Sequence, residues 1–256
     1  MKYNIKLKNE NDIKLLRESG KRLSAVLTAV SKEVRPGVST KYLNDFVYKM
    51  ITDMGDKPAF LNYKPFGAAY PYPGSICISV NEEVVHGIGS EDHILEEGDI
   101  VGLDGGVNHK GMISDSARTV PVGKVSVADE ELMRVTKEAL MAGIKAAVVG
   151  NYVNDISKAI EGAIPKKYGV VKILSGHGVG YKVHEEPYVP NFDDGVKGPK
   201  LVPGLVLALE PMVNMGTDDV YLAKDGYTFI TADHKRSAHF EHTILITEKG
   251  PEILTA

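Results

Sequence analysis

Residues 99–120 read DIVGLDGGVNHKGMISDSARTV. Two strand-like runs, 99–107 and 112–120, flank the polar, glycine-containing turn Asn108-His109-Lys110-Gly111, which is the signature of a hairpin. A symmetric closure centres the hairpin between His109 and Lys110 and sets Asp104 directly opposite Asp115 on one face. Aspartate is disfavoured in strands, and directly opposed like charges are destabilising by up to ~1 kcal/mol even in water. Ile100, Val101, Leu103, Val107, Met112 and Ile113 surround the pair, so it should be partly buried. Two carboxylates in such a place must share a proton or hold a cation, whereas on a solvent-facing strand they need do neither. A one-residue slip of register would send them to opposite faces.

Outward from the hairpin, the chain alternates helices and strands. Ile13, Leu16, Leu23, Val26 and Val30 recur at helical spacing over 11–34, and Pro36-Gly37 stops the pattern. Thr40 is placed to cap a second helix carrying Leu43, Phe46, Val47, Met50 and Ile51 on one face. The Pro/Gly/Tyr-rich stretch 64–74 reads as a loop leading to a strand over 76–80. Further helices fit 128–148 and 153–164, and from Val171 the chain is mostly strands and glycine turns. The order is helix pair, strands, helix pair, strands. Leu43-Asn44-Asp45-Phe46 and Val153-Asn154-Asp155-Ile156 occupy similar places in the two pairs, a four-residue hint of similar halves. No polar linker divides them, so the expectation is one α+β domain over 1–256 with internal pseudosymmetry and a short N-terminal extension, about 1–10.

With 256 residues the chain can bury a sizeable core, and its 43% hydrophobic and 25% charged content is that of a soluble globular protein. A formal charge of -4 argues against nucleic acid or an anionic membrane as the main partner. The single cysteine, Cys77, excludes an internal disulfide framework and suits a reducing compartment. Residues 1–6 lack the apolar core of a signal peptide, and no run approaches the roughly 18 apolar residues of a membrane span. These features lead to the expectation of a soluble cytoplasmic enzyme.

Other chemistry-bearing residues interrupt apolar or glycine-rich runs. His177 lies within Gly176-His177-Gly178-Val179-Gly180 and His184 seven residues on; the glycines let the backbone turn tightly and let a ligand come close. That spacing is not the i, i+4 of a helical zinc motif, and a lone histidine so placed is more often structural. Glu210 ends Leu205-Val206-Leu207-Ala208-Leu209, and Glu241 opens a second apolar run; buried there, each needs a partner, either a salt bridge or a cation. No arginine or lysine lies within either run, although Lys235 and Arg236 precede the second. Asp104, Asp115, Glu210, Glu241 and His177 together form an oxygen-rich set with one nitrogen, suited to manganese, iron, cobalt or zinc and not to a structural cysteine–zinc site. Four negative charges balance two divalent cations, and a hydroxide added to them leaves a small negative charge that suits an N-terminal ammonium, favouring exopeptidase over endopeptidase chemistry.

In this order, the five residues resemble the ligand set of the pita-bread metallopeptidases. Their contexts resemble the type I methionine aminopeptidases: Cys77-Ile78-Ser79-Val80-Asn81-Glu82, Val85-His86-Gly87, Gly176-His177-Gly178, His184-Glu185-Glu186-Pro187, Glu210-Pro211-Met212-Val213 and Phe240-Glu241-His242-Thr243. The resemblance runs from about Ile13 to Ile253. It implies a pseudo-two-fold antiparallel sheet flanked by two helix pairs, and two divalent metal ions (cobalt, manganese, iron or zinc). Asp104 would hold one metal, Asp115 and Glu241 would bridge both, and His177 and Glu210 would complete the other site. His86 and His184 would contact the scissile amide and the tetrahedral intermediate, and Glu210 would move a proton. The implied substrate is the N-terminal methionine of nascent polypeptides, near the ribosome, and the implied enzyme is a monomer with no nucleic-acid or membrane partner.

Xaa-Pro peptidases share the ligands but typically read Glu-Pro-Gly at the fourth and Arg-x-Glu-Asp at the fifth, unlike Pro211-Met212 and His242-Thr243 here. They also usually carry an extra N-terminal domain, and type II enzymes carry a helical insertion that this sequence lacks. A non-catalytic binding module of the same fold would be expected to lose ligands, and none is lost. The departures lie in the methionine pocket. Tyr227 follows Asp225-Gly226 where the family often has tryptophan, Val183 stands where many bacterial members have phenylalanine, and His239 stands where glutamine is common. Tyr72 and Cys77 are further candidate pocket walls.

Overall fold

The computed structural model describes residues 3–256; Met1 and Lys2, part of the expected N-terminal extension, lie outside the described residues. Helix α1, Glu10–Glu33, starts from a capping box in which Asn9 and Asp12 each take the other's backbone N–H. Helix α2, Thr40–Asp53, is capped by Ser39, whose hydroxyl accepts the Tyr42 N–H; Thr40 is instead its first residue. The cap therefore lies one position before the expected one, because Thr40 Oγ1 is engaged with both the N–H and the carbonyl of Ser90. Helices α3, Val127–Ala146, and α4, Val153–Ala163, fall within two residues of their expected bounds.

Each helix pair buries its apolar face on a different sheet. Leu23, Val26, Leu27 and Val30 of α1 and Leu43, Val47 and Ile51 of α2 pack with Ile76, Ile78, Val101, Leu103 and Val107. Leu132, Val135, Leu140 and Ile144 of α3 and Ile156 and Ile160 of α4 pack with Leu207, Leu209, Ile244 and Ile246. The two four-residue repeats sit in the second helix of each pair but are out of step. Leu43 is the fourth residue of α2 and Val153 the first of α4, so Asp155 closes a helix cap while Asp45 pairs with Lys41.

In the first sheet, Ile100–His109 pairs antiparallel with Met112–Pro121, Ile76–Val80 and the short Lys57–Pro58. The second has the order Gly250–Ile253, His242–Thr247, Val206–Leu209, Ser175–Gly178, Glu185–Pro190. The sheets are joined where Ala117 and Glu241 exchange backbone hydrogen bonds (3.3 and 2.9 Å) and Thr243 Oγ1 accepts the Asp115 N–H. This seam lies beneath the site.

The hairpin register differs from the symmetric expectation. Lys110 (φ 52°) and Gly111 (φ 90°) form a two-residue loop, so Asp104 pairs with Ala117 and Asp115 with Gly106. Such a tight turn needs positive φ at both central residues, and it centres where glycine can supply the second. The shift is of two residues, which preserves the face. Asp104 and Asp115 are thus diagonal neighbours on one side of the sheet, a spacing of roughly 7–8 Å between backbones that leaves room between their carboxylates.

Candidate metal centre

Four strand ends converge on one pocket. Asp104 and Asp115 come from the hairpin. Cross-sheet pairing of His177 with Ala208 and of Leu209 with His242 brings His177 beside the Val206–Leu209 strand, and carries Glu210 and Glu241 to facing positions just beyond it. All five candidate ligands line the same cavity of about 260 Å³, together with His86, His184, Tyr72, Cys77, Val183 and Tyr227. That volume is slightly below the roughly 300–1,000 Å³ usual for small-molecule pockets and suits a chain end.

Asp104, Asp115, His177 and Glu241 are each no more than 8% exposed. Among the described residues, no lysine or arginine lines the cavity. Arg236 is engaged by Asp129 and the Gly98 carbonyl, and Lys235 by Asp233, so neither neighbour of the last strand neutralises Glu241. Burial pushes the carboxyls of Asp104, Asp115 and Glu241 well above the usual carboxylate range, and their mutual repulsion, with that of Glu210, adds to the push. Asp104 Oδ1, Asp115 Oδ1 and Glu241 Oε1 are buried without a hydrogen-bond partner among the described residues, a costly state for a carboxylate.

The imidazole completes the argument. His177 Nδ1 lies 2.9 Å from the Gly178 carbonyl, which can only accept, so Nδ1 carries the proton. In the neutral ring Nε2 then presents its lone pair to Glu210 Oε1 at 3.2 Å and Asp115 Oδ2 at 4.0 Å. A lone pair facing carboxylate oxygens is repulsive unless a proton or a metal cation lies between them. Asp115, His177 and Glu241 offer ligand atoms all within 4.8 Å of one another. The donor set therefore fits divalent metal.

His86 and His184 lie at the cavity wall. His86 holds a left-handed backbone (φ 62°), uncommon for a non-glycine residue and of the kind that collects at functional sites. Its imidazole is pushed down to about 4, by burial first and by His177 second. His184 stands edge-on to His177 with ring centroids 4.5 Å apart and is exposed toward the mouth; desolvation, then His177 and His86, push its imidazole down. Both rings are neutral at neutral pH and able to donate one hydrogen bond.

The sequence reading missed three contributors. Tyr63 Oη lies 2.9 Å from His184 Nδ1 and orients that ring; a tyrosine in a polar loop gives no sequence signal for this. Lys8 forms a buried ion pair with Glu185 (2.6 Å) and lies over the Tyr181 ring, tying the N-terminal extension to the turn that carries His184. Phe60 adds a wall to the pocket. His239, noted as a departure, is buried with Nε2 unpartnered, 3.8 Å from Glu210 Oε2.

An acid-rich, cation-fitting cavity at the junction of two antiparallel sheets defines a candidate metal centre. Residues 14–248 match metallopeptidase family M24, and the chain belongs to that family. Among its relatives there are methionine aminopeptidases. It is 47% identical over 251 residues to methionine aminopeptidase of Clostridium perfringens, covering 97% of this chain and 98% of that one. It is 45% identical over 255 residues to that of Aquifex aeolicus, covering 98% of each. The crystal structure of methionine aminopeptidase from Rickettsia prowazekii matches with a TM-score of 0.93 at 38% identity, covering 98% of this chain and 100% of that one. The expected α+β pita-bread architecture is thus present, the protein is a hydrolase of the metalloaminopeptidase class, and the Xaa-Pro and non-catalytic readings are not favoured.

Proposed function

We propose that this protein removes the N-terminal methionine of nascent polypeptides whose second residue is small, as a cytoplasmic monomer working near the ribosome through one pseudosymmetric catalytic domain. The observation that carries the reading is the ring of buried, unpartnered carboxylate oxygens facing the His177 lone pair in a cavity with an apolar wall. Asp104, Asp115, His177, Glu210 and Glu241 would hold two divalent cations; cobalt, manganese, iron and zinc all suit the donors. When bound, the cations would neutralise the carboxylates and supply the Lewis acidity that activates water and polarises the scissile carbonyl.

The side chains of the chain do the rest. Tyr72, Tyr227, Cys77, Val183 and Phe60 form the wall against which the methionine side chain packs; Tyr72 and Tyr227 stand edge-on at 5.2 Å and favour a thioether. Glu210, partly accessible beside His177, takes a proton from the attacking water and returns it to the departing amine. His184, oriented by Tyr63, donates to the oxygen that gains charge, and His86 holds the scissile amide. The small cavity leaves little room for a bulky second residue.

Initial rates on Met-Ala-Ser and Ala-Pro peptides, with the protein metal-loaded, test the reading. Methionine release should dominate; preference for the proline substrate, or no metal-dependent turnover, contradicts it.

A further inference from the structure

The mouth of the pocket is lined by apolar groups that the chemistry does not use. Pro65, Ile173, Leu174 and Tyr188 belong to the same cavity as the acid cluster, yet Ile173 is 66% and Tyr188 64% exposed, and Phe66, next to Pro65, is fully exposed. They come from three separate segments: the loop 64–74, the stretch before Ser175–Gly178, and the strand Glu185–Pro190. Tyr188 is the cross-strand partner of His177, so the two side chains share a face about one strand spacing, roughly 5 Å, apart. Among the described residues, Glu185–Pro190 is the edge of its sheet and no further strand covers Tyr188.

Charged neighbours of this rim are engaged elsewhere. Lys172 pairs with Asp218, Lys64 donates to the Ala69 carbonyl, Glu185 pairs with Lys8 and Glu186 accepts the Asn4 N–H. An exposed apolar collar around a site mouth marks a surface that something covers. A polypeptide whose amino end reaches the acid cluster must leave across it, and an extended chain advances about 3.3 Å per residue, which brings its third and fourth residues over the collar.

We propose that Ile173 and Tyr188 bind the third and fourth residues of the substrate polypeptide and favour apolar side chains there. The inference rests on the aminopeptidase reading above and adds a specificity that the acid cluster cannot supply. Met-Ala-Leu-Leu and Met-Ala-Ser-Ser, identical at the cleaved bond, test it. The ratio of their kcat/KM values should be about three- to tenfold in favour of the leucine peptide, the gain expected from partial burial of apolar side chains on an open surface. In the double variant Ile173→Ser/Tyr188→Ser the ratio should fall to near one. A ratio near one in the unaltered protein, or one that survives in the variant, overturns the inference. Failure of the unaltered protein to release methionine from either peptide would instead overturn the function on which it rests.

Discussion

Asp104 carries the burden of the site most plainly, since one of its oxygens is buried with no partner and its charge is opposed by Glu210 and by burial. In the metal-free protein, Asp104→Asn should therefore raise the melting temperature while abolishing turnover and weakening cation binding. The sign follows from its raised carboxyl. A group that ionises less readily in the fold than in the unfolded chain favours folding below its unfolded pKa, and that contribution is lost as pH rises through the folded value. The stability gap between Asp104→Asn and the unaltered protein, measured by thermal melts in chelator, should widen from acid to neutral pH; a gap that closes would count against the assignment. His184→Ala should lower kcat about 10- to 1,000-fold with metals still bound, and Tyr63→Phe should do so more weakly because it only releases the ring orientation. An unchanged kcat in His184→Ala would remove it from the chemistry. Asp104, Asp115, Glu210, Glu241, His177, His86 and His184 were all legible by residue type and context, but Tyr63 was not, because its hydrogen bond joins residues 121 apart in sequence.

At the scale of elements, the hairpin shows what a pattern can and cannot settle. The positive φ of Lys110 and Gly111 set the register, moving each pairing two residues from the expected one. The acids became diagonal partners and kept their shared side. The second helix began one residue before the expected place, with Ser39 as its cap, because a distant loop at Ser90 claimed Thr40. The Lys8–Glu185 pair is likewise a contact between elements. Its side chains are only 2% and 10% exposed, so Lys8→Met leaves a buried carboxylate unpaired and should cost about 3–5 kcal/mol in denaturant unfolding. The exposed pair Arg134–Glu138 should cost far less when Arg134 is replaced by alanine, because water screens it. Equal losses at the two pairs would show that Lys8 is no more than a surface charge.

For the whole molecule, the decisive arrangement is the seam at which Ala117 and Glu241 share backbone hydrogen bonds. It joins acids separated by more than a hundred residues of chain, and no local pattern announces it. Only the order and context of the five ligands, read as a family resemblance, anticipated that they meet. The central claim is that Asp104, Asp115, His177, Glu210 and Glu241 grip divalent cations between them. Anomalous difference maps from crystals grown with manganese test it most directly. The account predicts two peaks inside the ring of these five side chains, with none there in crystals of Asp115→Asn; the absence of peaks from the ring in the unaltered protein would contradict it.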